Sequence, residues 1–298
     1  MSHHIIHILH HGSRLTKRRG MMVCRTDDDG DEERELAIED VRAVIVAARG
    51  VFMSGELISA LMESGAVILH CDTSYRPVAV TSGLDRVVTG FAAFNQANRT
   101  LKLHERLWRL ILAAKVANQA RVLEKNGRNH AFIRHDLKGG EINEAACARH
   151  YWMEFFAIFG LEGVIRRGED EAGINAKLNY GYAVLGALVH RSIVAHGLSP
   201  LFGMHHVTRY KAHAMVYDLI EPWRPFVDDM LVEFEKNGDE EPAPMEKWAR
   251  HVATDLRDQK IKTKQHRLKL LDALDVYVSG IAKCYEHKTI RHAWMPDL

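Results

Sequence analysis

Two patterns of apolar spacing meet near residues 95–102. Up to about residue 95, the short runs Ile5–Leu9, Met21–Arg25, Val41–Ala48, Ala66–Cys71 and Pro77–Val80 are rich in β-branched residues. Gly12, Gly20, Gly30, Gly50, Gly65 and Gly83 punctuate them, which predicts strands. Ser54–Ser64 departs from that pattern: Ser54 can cap a short helix whose Leu57, Leu61 and Met62 pack on the sheet. From Lys102 onward glycine thins and the 3.6-residue period takes over, first through Leu107, Leu110, Ile111, Ala114 and Val116. Helical runs follow at Asn143–Phe159, Ile174–His196, Ala212–Glu235, Pro244–Arg257 and Lys260–Tyr285. The predicted class is α+β. A β-sandwich-like domain with one short helix spans residues 1–97, and a larger all-α domain spans residues 98–298.

His3, His4, His7, His10 and His11 interleave with Ile5, Ile6, Ile8 and Leu9. This reads as a strand with its polar residues on an exposed side, in preference to a metal-binding arm. Arg166–Glu171 and Asn237–Pro244 read as loops, and Arg291–Leu298 as a loosely ordered end.

Composition changes the picture little. Hydrophobic residues at 47% and charged residues at 27% describe an ordinary soluble globular protein. A net charge of +1 gives no global basic signature for nucleic acid, yet the charges are clustered. Acids crowd Asp27–Asp40 and Glu233–Glu241, and bases crowd Arg14–Arg19 and Arg257–Lys269. Cys24, Cys71, Cys147 and Cys284 form no CxxC pair, which argues against a zinc knuckle or a disulfide framework and for a reducing cytosol. No apolar run approaches the eighteen or so residues of a membrane span, so a cytoplasmic location without membrane partners is expected.

The candidate chemistry lies in Ser199–Asp228, which holds His205, His206, Asp218, Glu221, Arg224 and Asp228. At helical spacing Asp218, Glu221, Arg224 and Asp228 share one face. An imidazole with carboxylates suits Mg²⁺ or Mn²⁺ at a phosphoryl-transfer site. Glu144, opening a helix with small residues after it, is a further acid, and spacing alone does not choose between it and Glu141. Tyr151 lies seven residues on, on the same face, with Trp152 beside it. Each half has a plain reading too: a DxxE pair commonly lines a solvated face, and an acid at a helix start is favoured by the dipole alone. The lone His135–Asp136 pair lacks the partners a phosphohydrolase would need. Asn175 and Asn179, one turn apart on an apolar helix, read as amides that knit helices together.

Three ordered motifs carry a resemblance. NEAACARHYW, LNYGYAVLGALVHRSIVAHGLSPLFGMHH and YDLIEPWRPFVDD resemble, in order, the motifs of CRISPR-associated protein 1. The likeness is close over about residues 140–230 and looser over the N-terminal domain. Ala145 stands where glycine is frequent in that family, and the Gly-x-His-His form looks most like relatives beside single-effector systems. The resemblance implies a metal-dependent DNA endonuclease and integrase that joins the 3′-hydroxyl ends of spacer DNA to the CRISPR repeat. It implies Glu144, His206 and Glu221 as metal ligands and catalytic residues, His206 being three residues after Gly203. Asp218, Arg224, Tyr151 and Asn179 would support them. It also implies Mg²⁺ or Mn²⁺, a homodimer formed through the β domain, and CRISPR-associated protein 2 as partner. Candidate phosphate contacts are Arg14, Lys17, Arg18 and Arg19, with Lys260, Lys262, Lys264 and Arg267. The rival expectations are a non-catalytic DNA-binding scaffold of the same fold, or a general nuclease of branched DNA.

Overall fold

The computed structural model describes residues 4–26, 33–72, 77–83, 90–140, 142–167, 173–206, 213–238, 244–263 and 267–298. The N-terminal part is two four-stranded sheets. In the first, β1 (His4–Ile8), β5 (Val41–Val46) and β7 (Val67–Cys71) run parallel, and β8 (Pro77–Thr81) closes the edge antiparallel. In the second, β4 (Glu33–Ala37), β3 (Met21–Arg25), β2 (Arg14–Arg18) and β6 (Phe52–Met53) follow in that order. Helix α1 (Gly55–Ser64) starts where Ser54 Oγ accepts the Leu57 N–H at 3.2 Å. Its Leu57 and Leu61 are fully buried with Leu15, Val41, Val44 and Ile68, so one core fills the space between the sheets. The other face of the first sheet, through Ile5, Ala43, Ile45, Val67 and Leu69, belongs to the core of the helical part.

That part comprises α2 (Gly90–Ala97), α3 (Leu101–Lys125), α4 (Ala131–Gly139), α5 (Glu144–Ala157), α6 (Gly173–Ala195), α7 (Ala214–Ile220), α8 (Arg224–Asn237), α9 (Met245–Asp258) and α10 (Leu270–Glu286). Helix α6 is buried on most sides. At Gly181 a Cβ would fall 2.5 Å from Val227 Cγ1, so only glycine lets α6 and α8 approach this closely. Among the described residues no helix is long and apolar enough to cross a membrane.

Four expectations from the sequence are corrected. The run Lys260–Tyr285 is not one helix: β9 (Lys260–Lys262) and β10 (Arg267–Lys269) form an antiparallel ribbon before α10 begins. Its residues alternate, with Ile261 buried between exposed Lys260 and Lys262, and period two selects a strand. The run Ala212–Glu235 is interrupted by a 3₁₀ turn over Glu221–Trp223, because Pro222 has no N–H to continue α7. Residues 291–298 are not loose. Ala293, Trp294, Met295 and Leu298 pack on the helical core.

The fourth is His7, which turns inward between the sheet and the helices. Its Nδ1 donates to Ala249 O at 2.9 Å and its Nε2 accepts from the Tyr180 hydroxyl at 2.8 Å. Burial, with Arg250 nearby, pushes this imidazole down to about 4 despite the Ala249 bond. Burial likewise lowers His104 and His190 to about 4. All three are neutral in the fold but take a proton in the unfolded chain below about pH 6.5. The unfolded state then binds more protons, so stability is lost as pH falls from about 6.5 toward 4, by up to roughly 1.4 kcal/mol per pH unit per group. His7→Gln should therefore flatten the fall in melting temperature between pH 7 and 5. A slope equal to wild type would show that His7 is not one of the groups responsible.

Candidate active site

Asp218, on α7, is fully buried and organises the turn that precedes it. Its carboxylate accepts the backbone N–H of Met204, that of His205 at 3.0 Å and that of His206 at 3.1 Å, and the Nδ1 of His206 at 2.6 Å. Burial alone would raise this carboxyl, but the donors outweigh it and hold it below the ordinary range. An ionised carboxylate only accepts, so the His206 proton resides on Nδ1 and the Nε2 lone pair is left open. Nε2 has no hydrogen-bond partner among the described residues. Gly203 is required by the same wrapping: a Cβ there would meet Ala214 Cβ at 2.8 Å and Asp218 Oδ2 at 3.0 Å. His205 is used differently. Its ring stacks flat on Trp108, with centroids 4.3 Å apart, while Trp108 meets His206 edge-on at 5.8 Å.

The second half is built on α3. Lys115 Nζ lies 2.9 Å from Glu144 Oε1 and 2.7 Å from Glu221 Oε2, so one ammonium stands between the two acids. Arg224 Nη1 takes the other Glu221 oxygen, Oε1, at 2.7 Å. The Glu221 side chain is only 3% exposed. Burial would raise it, but Arg224 and Lys115, with a smaller contribution from nearby His206, keep it below the ordinary range. Glu221 Oε2 nevertheless has no donor in line; its contact with Lys115 is ionic and leaves a lone pair unused. One turn beyond Lys115, the buried Asn118 Nδ2 donates to Pro222 O at 2.9 Å and Pro296 O at 3.1 Å. Helix α3 thus holds the Glu221–Trp223 turn at two successive residues. Glu144 is fixed by the start of α5, where Asn143 Oδ1 accepts the Ala146 N–H at 3.1 Å. Asp136 in turn accepts the Asn143 N–H at 2.6 Å, so the His135–Asp136 pair supplies a helix brace.

The remaining candidates sit around this centre. Glu221 and Arg224 pair one turn apart, while Asp218 and Asp228 bind separate partners on either side of them. Asp228 is buried behind the site, accepting from the hydroxyls of Tyr151 (2.6 Å) and Tyr182. Burial raises it to about 7 despite those bonds. Tyr151 therefore reaches Asp228, not Glu144. Arg224 lies over the Tyr182 ring at 5.3 Å, joining that network to Glu221. Asn179 Oδ1 accepts from Arg166 at 2.6 Å, and Asn175 binds the same arginine, so both amides pin the loop before α6.

The basic stretch Arg14–Arg19 folds against the acidic one. Arg18 pairs with Glu33 and Glu35, Lys17 with Glu56 at 3.3 Å, and Arg14 lies over Phe52. Arg19 occupies the turn between β2 and β3 with φ 49°. On the ribbon, Lys262 faces Arg267 and Lys260 faces Lys269 across the strands. Glu141 and Lys264 lie outside the described residues. Lys115, Asn118 and Trp108 were not singled out from sequence. Their signal was polar and aromatic residues recurring along the buried stripe of α3.

Among the described residues no three His, Cys, Asp or Glu side chains stand close enough together to hold a metal ion. The Lys115 ammonium lies between two of the expected ligands. The donor set still fits a hard divalent ion, since an unused Glu221 oxygen, a Glu144 carboxylate and an open imidazole nitrogen are what such an ion takes.

Residues 6–263 match the family model described as CRISPR associated protein Cas1. The chain belongs to the Cas1 family. It is 27% identical over 306 residues to the CRISPR-associated endonuclease Cas1 of Neisseria meningitidis serogroup C (strain 8013), covering 98% of this chain and 95% of that one. A Cas1 of Pyrobaculum aerophilum is 30% identical over 250 residues, covering 76% of this chain and 81% of that one. In fold the chain resembles a casposase bound to its integration product, with TM-score 0.75, 17% identity, and 97% and 92% of the two chains covered. It also resembles a chain of a Cas6-RT-Cas1–Cas2 complex, with TM-score 0.67 and 14% identity. There the match covers 99% of this chain and 36% of the longer one. Both likenesses show the Cas1 fold, with N-terminal strands in sheets and a larger helical part.

Proposed function

We propose that this Cas1-family chain is a metal-dependent DNA endonuclease and integrase of CRISPR adaptation. It would act in the cytoplasm as a homodimer with Cas2, joining 3′-hydroxyl ends of spacer DNA to the CRISPR repeat. The observation that carries the reading is Glu221 Oε2, a buried carboxylate oxygen without an in-line donor, set beside Glu144 and near His206. Family membership, relatives named endonucleases and a fold neighbour bound to an integration product support the reaction class.

In such a transesterification the 3′-oxygen bonds to phosphorus as another P–O bond breaks, so the number of phosphodiester bonds is conserved. Glu144 and Glu221 would supply anionic oxygens and His206 its Nε2 to hold Mg²⁺ or Mn²⁺. The bound ion supplies Lewis-acid stabilisation of charge on the phosphoryl oxygen. Asp218 keeps the His206 proton on Nδ1, which leaves Nε2 free and orients the ring. Arg224 holds Glu221 in place through Oε1.

DNA phosphates need separate cations. The β9–β10 ribbon offers Lys260, Lys262, Arg267 and Lys269 on one face, and like charges directly opposite cost stability unless a polyanion lies over them. The double change Lys260→Gln, Lys262→Gln should weaken DNA binding whatever the sequence. It should also reduce the slope of log affinity against log salt by about two. An unchanged slope would remove the ribbon from the interface.

The reading is tested by incubating the chain and Cas2 with a labelled duplex and a supercoiled repeat plasmid. Mg²⁺ or Mn²⁺ should give joined products, and EDTA should give none. Normal DNA binding without strand chemistry would favour the scaffold, and flap or junction cutting that needs no Cas2 would favour a general nuclease.

A further inference from the structure

Lys115 is the charged side chain at this site that the nuclease reading leaves without a task. It leaves α3 on the inward stripe, four residues after Ile111 and three before Asn118, and its side chain is only 13% exposed. Its ammonium contacts Glu144 from α5 and Glu221 from the 3₁₀ turn, 2.9 Å and 2.7 Å away. Arg224 occupies Glu221 Oε1, so Oε2 is the oxygen left for a metal ion, and Oε2 is the one Lys115 faces. The ammonium donates to Glu144 Oε1 but meets Glu221 Oε2 as an ion-pair contact off the line of a good hydrogen bond. A divalent ion held by Glu144 and Glu221 needs the same ground. Two cations sharing partly buried carboxylates repel each other strongly.

We propose that Lys115 is a positioning residue that serves as a tethered counter-cation of the metal seat. It holds Glu144 and Glu221 together while no divalent ion is bound and cedes Glu221 Oε2 when one binds. This rests on the metal-site reading above. Two consequences follow from competition for the same oxygens. The ion-free chain is more stable than two facing carboxylates would allow, and its affinity for the ion is lower than those carboxylates would give alone. Lys115 thus sets the concentration of divalent ion at which the site fills.

The test uses the full chain and Mn²⁺ as the probe, with calorimetric titration and thermal melts. Lys115→Met should bind Mn²⁺ about tenfold more tightly, the order of one partly buried ion pair. It should melt at a lower temperature than wild type without Mn²⁺, and the difference should close at saturating Mn²⁺. Lys115→Arg, which keeps the charge, should retain the wild-type ion-free melting temperature and the weaker affinity. Wild-type or weaker affinity in Lys115→Met would overturn the proposal, as would a melting deficit of equal size with and without Mn²⁺. If Lys115→Met does not fold, wild type carries the test. Acylation of Lys115 by an amine-reactive ester, mapped by mass spectrometry, should rise several-fold on adding Mn²⁺, and unchanged labelling would overturn the proposal. Failure of the underlying reading has a different signature: wild type that shows no saturable Mn²⁺ binding, or binding that survives both His206→Ala and Glu221→Gln. Saturable binding that is lost in those two variants but indifferent to Lys115 overturns only the role given to Lys115.

Discussion

Glu221→Gln is expected to leave the chain folded and bound to DNA while strand joining falls by about 10³-fold or more. The change is nearly isosteric. Arg224 can still donate to an amide oxygen at the Oε1 position, and Lys115 keeps its contact with Glu144. What disappears is the anionic lone pair at Oε2, the buried oxygen without an in-line donor. An amide NH₂ there presents hydrogens to the place where a metal ion would need electrons. Glu221 is held below the ordinary carboxyl range by Arg224 and Lys115 although burial alone would raise it, so the fold favours its charged form and the melting temperature should fall modestly while the chain stays folded. Initial rates of strand joining in Mn²⁺, with DNA binding by fluorescence anisotropy and a thermal melt on the same preparation, separate the terms. Joining within about tenfold of wild type would show that Glu221 is not a ligand the reaction depends on.

Asn118→Ala is expected to cost about 3 kcal/mol of stability, the order for stranding buried hydrogen-bonding groups. The Asn118 amide is fully buried and fully used. Nδ2 serves Pro222 O and Pro296 O, while Oδ1 accepts from Arg121 at 2.9 Å and from the Leu298 N–H at 3.1 Å. Alanine leaves both carbonyls without a partner and opens a cavity between α3, the Glu221–Trp223 turn and residues 293–298. For a chain of this size the melting midpoint should fall by roughly 6–9 °C. Because Pro222 follows Glu221, strand joining should fall several-fold at temperatures where the variant is fully folded. A shift below about 2 °C would mean the amide bonds contribute little.

The parts of this architecture that were legible in the sequence are those set by local rules. The Ser54 cap, the glycine-punctuated strands and the 3.6-residue stripe of α3 need no knowledge of distant residues. The Glu221–Pro222 segment was legible as a motif, but its consequence was not. Asp218, Glu221 and Asp228 follow one another along the chain but reach three separate partners, His206, Lys115 and the two tyrosines. The roles of Lys115 and Asn118 are not legible in the sequence because a polar residue on an apolar stripe has meaning only once its neighbours are known, and those come from residues 144, 221–222 and 296–298. The same holds for charge. Arg14–Arg19 and Glu33–Glu35 are separate blocks in sequence, but pairing of β3 with both β2 and β4 brings them together. His7 looked like an exposed strand position because alternation fixes a face without saying what covers it, and α6 and α9 cover it here.

The measurement that bears most directly on the central claim is strand transfer of a short labelled duplex into a supercoiled repeat plasmid, comparing wild type with His206→Ala in Mg²⁺, Mn²⁺ and EDTA. DNA binding should be measured in parallel on both. The account predicts metal-dependent joined products from wild type, their loss by orders of magnitude in His206→Ala, and DNA affinity within a few-fold in both. Joined products from His206→Ala at the wild-type rate, or from wild type in EDTA, would contradict it.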